Sequence, residues 1–242
     1  MPAPLSNRVA LVTGAGKRLG RAVAIGLAEQ GADVVIHYRS SEGEAYEAVA
    51  EIKKLGRRSI ALQADLAHVS DLPKLFQKVE ANFGRLELLV NSAANFLKTE
   101  FASTTEKMWD ASLDTNLKAV FFCCQAAAPL LKKSKGAIVN FADIGGILGW
   151  PGFIPHSISK AGILMLTRCL AKELAPEIRV NAIAPGTITM PGDPPELEAD
   201  FVKVAPLHRS GRPADIVAAV SYLAAAKFVT GQVLVVDGGR TL

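Results

Sequence analysis

The segment Leu11–Ala24, LVTGAGKRLGRAVA, joins a short apolar run to a segment with helical periodicity. Gly14, Gly16 and Gly20 lie at the junction. Glycines at such a junction let the backbone come close to a phosphate group, whose charge then lies at the N-terminus of the following helix. The third glycine comes one residue later than in G-x-G-x-x-G, so this motif alone leaves a dinucleotide site open.

Outward from this segment, apolar runs alternate with helical segments along the whole chain. The other runs are DVVIHY, SIALQAD, LELLVNSA, GAIVNFA, IRVNAIAPG and GQVLVVDGG, which are typical of strands buried on both faces. The predicted helices are Arg21–Gln30, Ser41–Leu55, Ser70–Phe83, Glu106–Lys133, Ser157–Ala175 and Ala214–Ala226. This alternation predicts an α/β fold: one Rossmann-like domain over residues 1–242, with a doubly wound parallel sheet of about seven strands.

Composition excludes several classes of protein. Half of the 242 residues are apolar and 21% are charged, which is the balance of a globular enzyme. The net charge is +4, and the basic residues are interleaved with acidic ones, so we expect no nucleic-acid partner. The three cysteines, Cys123, Cys124 and Cys169, lie in apolar helical segments, so we expect neither disulfides nor a metal site.

The N-terminal residues do not have the pattern of a secretory signal. The longest apolar stretch, Ala119–Leu131, is too short to span a bilayer and contains Gln125 and Pro129. It is better interpreted as a buried helix. We therefore expect a cytoplasmic protein without a membrane partner.

One long stretch, residues 186–212, has no clear periodicity, and its clustered prolines argue against a long regular helix near its start. Irregular segments of this length in compact domains are either functional lids or inserted surface loops. Because it follows a predicted strand, we interpret it as a substrate lid, with a tolerated surface insertion as the alternative.

The end of the second strand indicates which cofactor is bound. A site specific for NAD places Asp or Glu there, to bind the ribose hydroxyls. Here the chain has His37, Tyr38, Arg39, Ser40 and Ser41 instead. Arg39 and the neighbouring hydroxyls suit the 2′-phosphate of NADP, which a carboxylate would repel. The alternative is that Arg39 is a solvated loop residue.

Seven motifs in order along the chain resemble the short-chain dehydrogenase/reductase family. They are Thr13-Gly14 with Gly20, Asp65-Leu66, Asn91-Ser92-Ala93, Asn116, the segment ending at Lys160, Pro185-Gly186 and the C-terminal VDGG. The resemblance implies that NADP(H) is bound by Gly14, Lys17, Arg18, Leu19, Gly20, His37, Tyr38, Arg39, Ser40, Asp65, Leu66, Asn91, Ala93, Lys160, Pro185, Gly186 and Ile188.

Within that family the chain is most similar to the pteridine reductases. Their phosphate loop resembles TGAGKRLG with Arg18, their second strand ends much like HYRSS, and Phe96 and Asp143 fall at positions where they contact a pterin. The resemblance implies that Arg18, Phe96 and Asp143 bind a pterin-like small molecule, which NADPH then reduces. The competing substrate class is that of an oxoacyl or carbonyl reductase. A core Phe96 and a turn-forming Asp143 are the structural alternatives.

The resemblance also implies catalytic roles. Lys160 would bind the nicotinamide ribose, Asn116 would hold a water of a proton relay, and Asp143 would support the proton donor. The donor of the family is a tyrosine, but this chain has His156 in its place. His156 could donate a proton, position the substrate or do neither, so a catalytically impaired NADP-binding protein is a further alternative.

The segments Glu106–Lys133 and Ser157–Ala175 carry more apolar surface than one face of a sheet should cover. The family resemblance points to the same helices as an interface. We therefore expect a homo-oligomer, either a homotetramer, which we favour, or a dimer.

Overall fold

In the computed structural model, which describes residues 4–242, seven parallel strands form one sheet. The strands are β1 (Val9–Val12), β2 (Asp33–Tyr38), β3 (Ser59–Gln63), β4 (Leu88–Asn91), β5 (Ala137–Phe141), β6 (Arg179–Pro185) and β7 (Val233–Val236). The helices are α1 (Arg18–Glu29), α2 (Glu42–Lys54), α3 (Leu72–Phe83), α4 (Glu106–Leu113), α5 (Ala119–Ser134), α6 (Gly145–Leu148), α7 (Ile154–Glu173), α8 (Pro195–Val202) and α9 (Pro213–Ala225).

The strand order β3-β2-β1-β4-β5-β6-β7 determines where a ligand can bind. The chain builds outward from β1 to β3, then returns to place β4 on the other side of β1. Val12 is in register with Ile36 of β2 and Val90 of β4, so the loops that follow these strands leave the same edge of the sheet. Open parallel sheets bind ligands in the crevice at such a switch point.

Two layers of helices cover the sheet, because its strands are apolar on both faces. The helices α1, α2 and α9 bury side chains such as Leu27, Ile52 and Val220 against one face. The helices α3, α5 and α7 bury side chains such as Leu75 and Leu131 against the other. The prediction of a doubly wound, Rossmann-like parallel sheet is confirmed.

Two elements differ from the sequence prediction. The segment Glu106–Lys133 is not one regular helix: a π-helical turn, Asp114–Lys118, separates α4 from α5. Asn116 in this turn bonds to the backbone of Asn95, an interaction that apolar periodicity does not record.

The segment 186–212 is not irregular throughout, because α8 begins at Pro195, where proline is compatible with the first helical turn. Its interpretation as a substrate lid stays a prediction.

Within residues 4–242, no helix is both long enough and apolar enough to cross a membrane. The apolar stretch that begins at Ala119 forms α5, and burial raises the pKa of its Cys124 thiol to about 12. Trp109, Phe121, Ile158 and Met165 expose large apolar side chains on α4, α5 and α7. The homo-oligomer that these helices suggest stays a prediction.

The crossing of α1 and α9 provides a test of the packing. A Cβ on Gly26 would lie 2.5 Å from Cγ1 of Val217, so Gly26→Ala should overpack this contact. We expect the free energy of unfolding to fall by about 1–2 kcal/mol. This net value includes a gain of up to about 1 kcal/mol from the higher helix propensity of alanine. The measurement is urea unfolding at constant pH.

Gly43 is the matched control, because it also lies in a helix and a Cβ there would meet no atom within 4 Å. Gly43→Ala should leave the free energy of unfolding unchanged or raise it by about 0.5–1 kcal/mol. Equal effects at the two positions would contradict the close approach of α1 and α9.

Candidate active site

The loop between β1 and α1 has room for an anion but not for side chains. A Cβ on Gly14 would lie 2.8 Å from Cα of Ala93, and one on Gly20 would meet the carbonyl oxygen of Gly14. Gly14 also has a φ of +65°, which favours glycine. No side chain caps the N-terminus of α1, where Lys17 is the N-cap residue. The first N–H groups of α1 can therefore bind a phosphate.

The side chain of His37, in β2, is hydrogen-bonded to this loop. Its Nδ1 accepts a hydrogen bond from the backbone N–H of Gly14 at 3.1 Å, and its Nε2 donates to the carbonyl oxygen of Ala64 at 3.1 Å. Burial lowers the pKa of His37 to about 4, so the ring is neutral at physiological pH. Sequence analysis predicted a cofactor contact at His37, and the structure adds this role in positioning the phosphate loop.

A cleft at the carboxyl edge of β1, β4 and β5 is lined by most of the predicted site residues. The predicted cofactor residues that line it are Gly14, Lys17, Arg18, Leu19, Gly20, His37, Tyr38, Arg39, Ser40, Asp65, Leu66, Ala93, Lys160, Pro185, Gly186 and Ile188, and Asp143, predicted as a catalytic and substrate residue, lines it with them. Ser41, whose hydroxyl was predicted beside the 2′-phosphate, also lines it, as do Ser92, Asn95, Thr115 and Met190, which were not among the predicted site residues. The assignment of these residues to a bound cofactor stays a prediction.

Four predicted site residues do not line this cleft. Asn91 is buried within the sheet, where its Nδ2 donates to Oδ1 of Asn140 at 2.9 Å. The side chains of Asn116 and His156 are buried behind the cleft wall, and Phe96 lies exposed nearby. Asn91 therefore supports β4 and β5 in this structure, and does not contact the space where a cofactor would lie.

Lys160 reaches the cleft from α7. Its Nζ donates to the carbonyl oxygen of Phe141, at the end of β5, at 2.9 Å. Burial lowers the pKa of this ammonium, and the charge of Asp143 acts in the opposite direction. A lysine that is 4% exposed and faces a carboxylate is a feature typical of functional sites.

His156 bonds to Asp143 and not to Lys160. Its Nε2 lies 2.7 Å from Oδ2 of Asp143, whose Oδ1 accepts a hydrogen bond from the N–H of Gly145 at 2.8 Å. The His156 side chain is 3% exposed, whereas that of Asp143 is 19% exposed. Sequence analysis placed His156 beside the lysine as a candidate donor, but the structure brings the carboxyl group, and not the imidazole ring, to the cleft.

The second ring nitrogen of His156 also has partners. The amide group of Asn116 has a fixed orientation, because its Oδ1 accepts a hydrogen bond from the backbone N–H of Asn95. Its Nδ2 therefore faces His156 and lies 3.4 Å from Nδ1 of the ring. The neutral ring can accept a hydrogen bond there while Nε2–H donates to Asp143. The carbonyl oxygen of Asn95, 3.3 Å from Nδ1, can accept a hydrogen bond when that nitrogen is protonated.

An aromatic cluster of Phe96, Trp150 and Phe153 surrounds His156. The rings of Phe96 and Phe153 stack at a centroid distance of 4.5 Å, and the edge-to-face contact of Phe96 with His156 is at 4.8 Å. Trp150 lies parallel to the imidazole ring at 6.3 Å. Neither Trp150 nor Phe153 was predicted, because an aromatic residue in a loop has no periodicity to mark it.

Arg18 connects the phosphate loop to the segment 186–212. Its guanidinium forms a bidentate pair with Asp193, at 2.8 and 3.0 Å, and a non-glycine φ of +49° places it there. The hydrogen bonds from Arg18 lower the pKa of the Asp193 carboxyl. Sequence analysis predicted cofactor and substrate contacts for Arg18 but not this partner, which is 175 residues away.

Comparisons with known proteins show the family. Residues 14–241 match a family model described as Enoyl-(Acyl carrier protein) reductase. The chain is 40% identical to the 3-oxoacyl-(acyl-carrier-protein) reductase FabG of Staphylococcus aureus (strain N315), over 96% of this chain and 98% of that protein. It is 37% identical to 3beta-hydroxysteroid dehydrogenase 1 of Eggerthella lenta, over 98% of this chain and 95% of that protein.

A solved structure from Sinorhizobium meliloti 1021, provisionally described as a short-chain alcohol dehydrogenase, superposes with a TM-score of 0.93 at 36% identity, over 99% of this chain and 98% of that chain. This chain belongs to the short-chain dehydrogenase/reductase family. The prediction of a short-chain reductase enzyme is therefore confirmed. Members of this family use a nicotinamide cofactor.

The pteridine reductase interpretation is wrong. Relatives that are 37–40% identical over nearly the whole chain carry the name 3-oxoacyl-(acyl-carrier-protein) reductase, which supports the oxoacyl alternative. The structure gives a physical reason at Arg18, whose guanidinium forms a bidentate pair with Asp193 and is therefore not free to bind a pterin. Phe96 and Asp143 also contact protein groups, Phe153 and His156, but both stay partly exposed.

The role of His37 can be tested by the pH dependence of stability. The unfolded chain binds a proton at this histidine below about pH 6.5, whereas the folded chain does so only below about pH 4. The contribution of His37 to the free energy of unfolding is complete above about pH 6.5. As the pH falls to about 4, up to about 3 kcal/mol of this free energy is lost. His37→Gln keeps a donor and an acceptor but does not titrate, so urea unfolding of this variant should show a weaker pH dependence over this range.

His68 provides the control, because it is an exposed histidine. His68→Gln should retain the pH dependence of the parent. A His37→Gln variant with the same slope as the parent would show that this ring does not resist protonation.

Proposed function

We propose that the chain reduces the 3-oxo group of an acyl thioester, with NADPH as the source of hydride. The observation that carries this proposal is the combination of a glycine-lined phosphate cradle, a buried Lys160 and a cleft-facing Asp143 on one edge of the sheet. Relatives named 3-oxoacyl-(acyl-carrier-protein) reductase match nearly the whole chain and support the substrate class.

The residues present fit a dinucleotide. The close contacts of Gly14 and Gly20 leave the phosphate position free of side chains, and the N-terminus of α1 faces it. When bound, a reduced nicotinamide supplies the hydride. Lys160, with Nζ at the carboxyl end of β5, would bind the nicotinamide ribose and place positive charge near the developing alkoxide.

NADPH is the favoured form of the cofactor because of the charges at the end of β2. Arg39, Ser40 and Ser41 line the cleft, and Arg39 and Ser40 are exposed to it and to solvent. A guanidinium with adjacent hydroxyls can form charge-assisted hydrogen bonds to a 2′-phosphate.

The aromatic cluster is where the non-polar part of the substrate would lie. Phe96 is 60% exposed, although such a ring would be more stable when covered. Because its ring is within van der Waals distance of His156, a substrate that covers it would have its carbonyl near Asp143.

The first experiment follows NADPH absorbance with acetoacetyl-coenzyme A and longer 3-oxoacyl thioesters. We expect turnover that falls by at least about 100-fold in Lys160→Ala, because that variant lacks the ammonium near the reacting oxygen. The exposed Lys107 provides the control, and Lys107→Ala should match the parent. A parent that binds NADPH but reduces no thioester would contradict the proposed substrate class.

A second experiment measures cofactor preference by fluorescence titration. NADPH should bind more tightly than NADH, and Arg39→Ala should narrow this preference by about tenfold or more, since one charge-assisted hydrogen bond contributes about 1.5–3 kcal/mol. Lys54→Ala removes an equal charge from the exposed end of α2 and should leave the preference unchanged. Equal affinities of the parent for both cofactors would contradict the role of Arg39.

A further inference from the structure

We infer that Asp143, and not His156, gives the proton to the substrate oxygen, and that His156 is a positioning residue that holds this proton behind the carboxyl group. The inference rests on the proposed carbonyl reduction, and it assigns the acid that replaces the missing tyrosine.

Exposure separates the two residues. Asp143 lines the cleft with 19% of its side chain exposed, so a substrate carbonyl can contact its carboxyl group. The His156 side chain is 3% exposed and does not line the cleft, because Phe96 and Trp150 pack against its ring. A general acid must lie within hydrogen-bond distance of the atom that it protonates. Of these two side chains, only the carboxyl group lines the cleft where such an atom can lie.

The ring of His156 has hydrogen-bond partners both when it is neutral and when it is protonated. In the neutral ring, Nε2–H donates to Oδ2 of Asp143, and Nδ1 accepts from Asn116. In the imidazolium, Nδ1–H donates to the carbonyl oxygen of Asn95 instead. The buried site therefore provides hydrogen-bond partners for both of these forms.

A carboxylate has no proton to give, so Asp143 needs a neighbour that supplies one. Lys160 is another charged group near Asp143, and the charge of Asp143 raises the pKa of its ammonium while burial lowers it. The imidazole of His156, whose Nε2 lies 2.7 Å from Oδ2 of Asp143, can supply the proton directly. The titratable groups of this site are therefore Asp143 after β5 together with His156 and Lys160 on α7.

The step balances as follows. Hydride, which a reduced nicotinamide would supply as it is oxidised, adds to the carbonyl carbon, and the electron pair of the C=O π bond moves to oxygen. The Asp143–His156 pair starts with one proton more than a carboxylate and a neutral imidazole. The Nε2 proton passes through the carboxyl group to the substrate oxygen and forms the O–H bond of the alcohol. The pair is left as a carboxylate and a neutral ring with its proton on Nδ1, bonded to the carbonyl oxygen of Asn95, and a proton from solvent then enters through the carboxyl group and restores Nε2–H.

The test compares Asp143→Asn with His156→Gln. If Asp143 is the acid, Asp143→Asn should lower kcat with a 3-oxoacyl thioester by about 10²–10⁴-fold, the range for loss of general acid catalysis. His156→Gln keeps an N–H that can donate to Asp143 but cannot store a proton, so kcat should fall less. Its rate should also begin to decline at lower pH than that of the parent.

NADPH affinity should stay within about threefold of the parent in both variants, which shows that the cofactor site is intact. Asp110→Asn, the same change at an exposed position on α4, should match the parent in rate and pH profile. The reverse order, with His156→Gln inactive and Asp143→Asn largely active, would overturn the inference, because the ring would then be the donor.

Proton NMR tests the pair without turnover. The parent should show two slowly exchanging imidazole N–H signals, from His37 and His156, which donate to buried acceptors. His37→Gln should remove only the first signal, and His156→Gln should remove only the second. If no thioester is reduced, the proposed function is wrong. A missing His156 signal in the parent contradicts the pair whatever the turnover.

Discussion

The site depends on the close approach of two backbone segments at the carboxyl edge of the sheet. The loop after β1 lies against the loop after β4, where Gly14 has no room for a side chain beside Ala93. The hydroxyl of Thr13 accepts the N–H groups of Ser92 and Ala93, each at 3.0 Å, and thereby joins the two loops. His37 holds the first loop from β2, so three neighbouring strands together define the floor of the cleft.

The end of the cleft beside α7 is built from buried polar groups whose partners come from different elements. Lys160 and His156 share α7, Asp143 follows β5, and Asn116 comes from a π-helical turn. Buried groups of this kind are costly unless each is hydrogen-bonded, and here the Asn95 backbone and the Phe141 carbonyl oxygen complete the set. The result is a site in which one carboxyl group is exposed and its basic neighbours are covered.

Much of this could be predicted from the sequence. The alternation of apolar runs with helical segments predicted the doubly wound sheet, because strands buried on both faces have no other place in a fold. The glycines after β1 predicted the phosphate cradle for a local reason, since Gly14 and Gly20 leave space that any side chain would fill. The substrate was not predictable in this way, because the partners of Arg18, Phe96 and Asp143 come from distant parts of the chain and are not visible in the sequence.

The sequence by itself therefore determined the sheet, the cradle and the positions of Lys160 and His156 on one helix, because these depend on near neighbours in the chain. Only the tertiary structure decided which group of the donor site faces the cleft. His156 and Asp143 are thirteen residues apart, and the aromatic cover over the ring comes from Phe96, sixty residues away in a loop beyond another strand. Burial and hydrogen-bond partners are properties of the packed chain, and they determine whether a histidine meets a substrate or supports the residue that does.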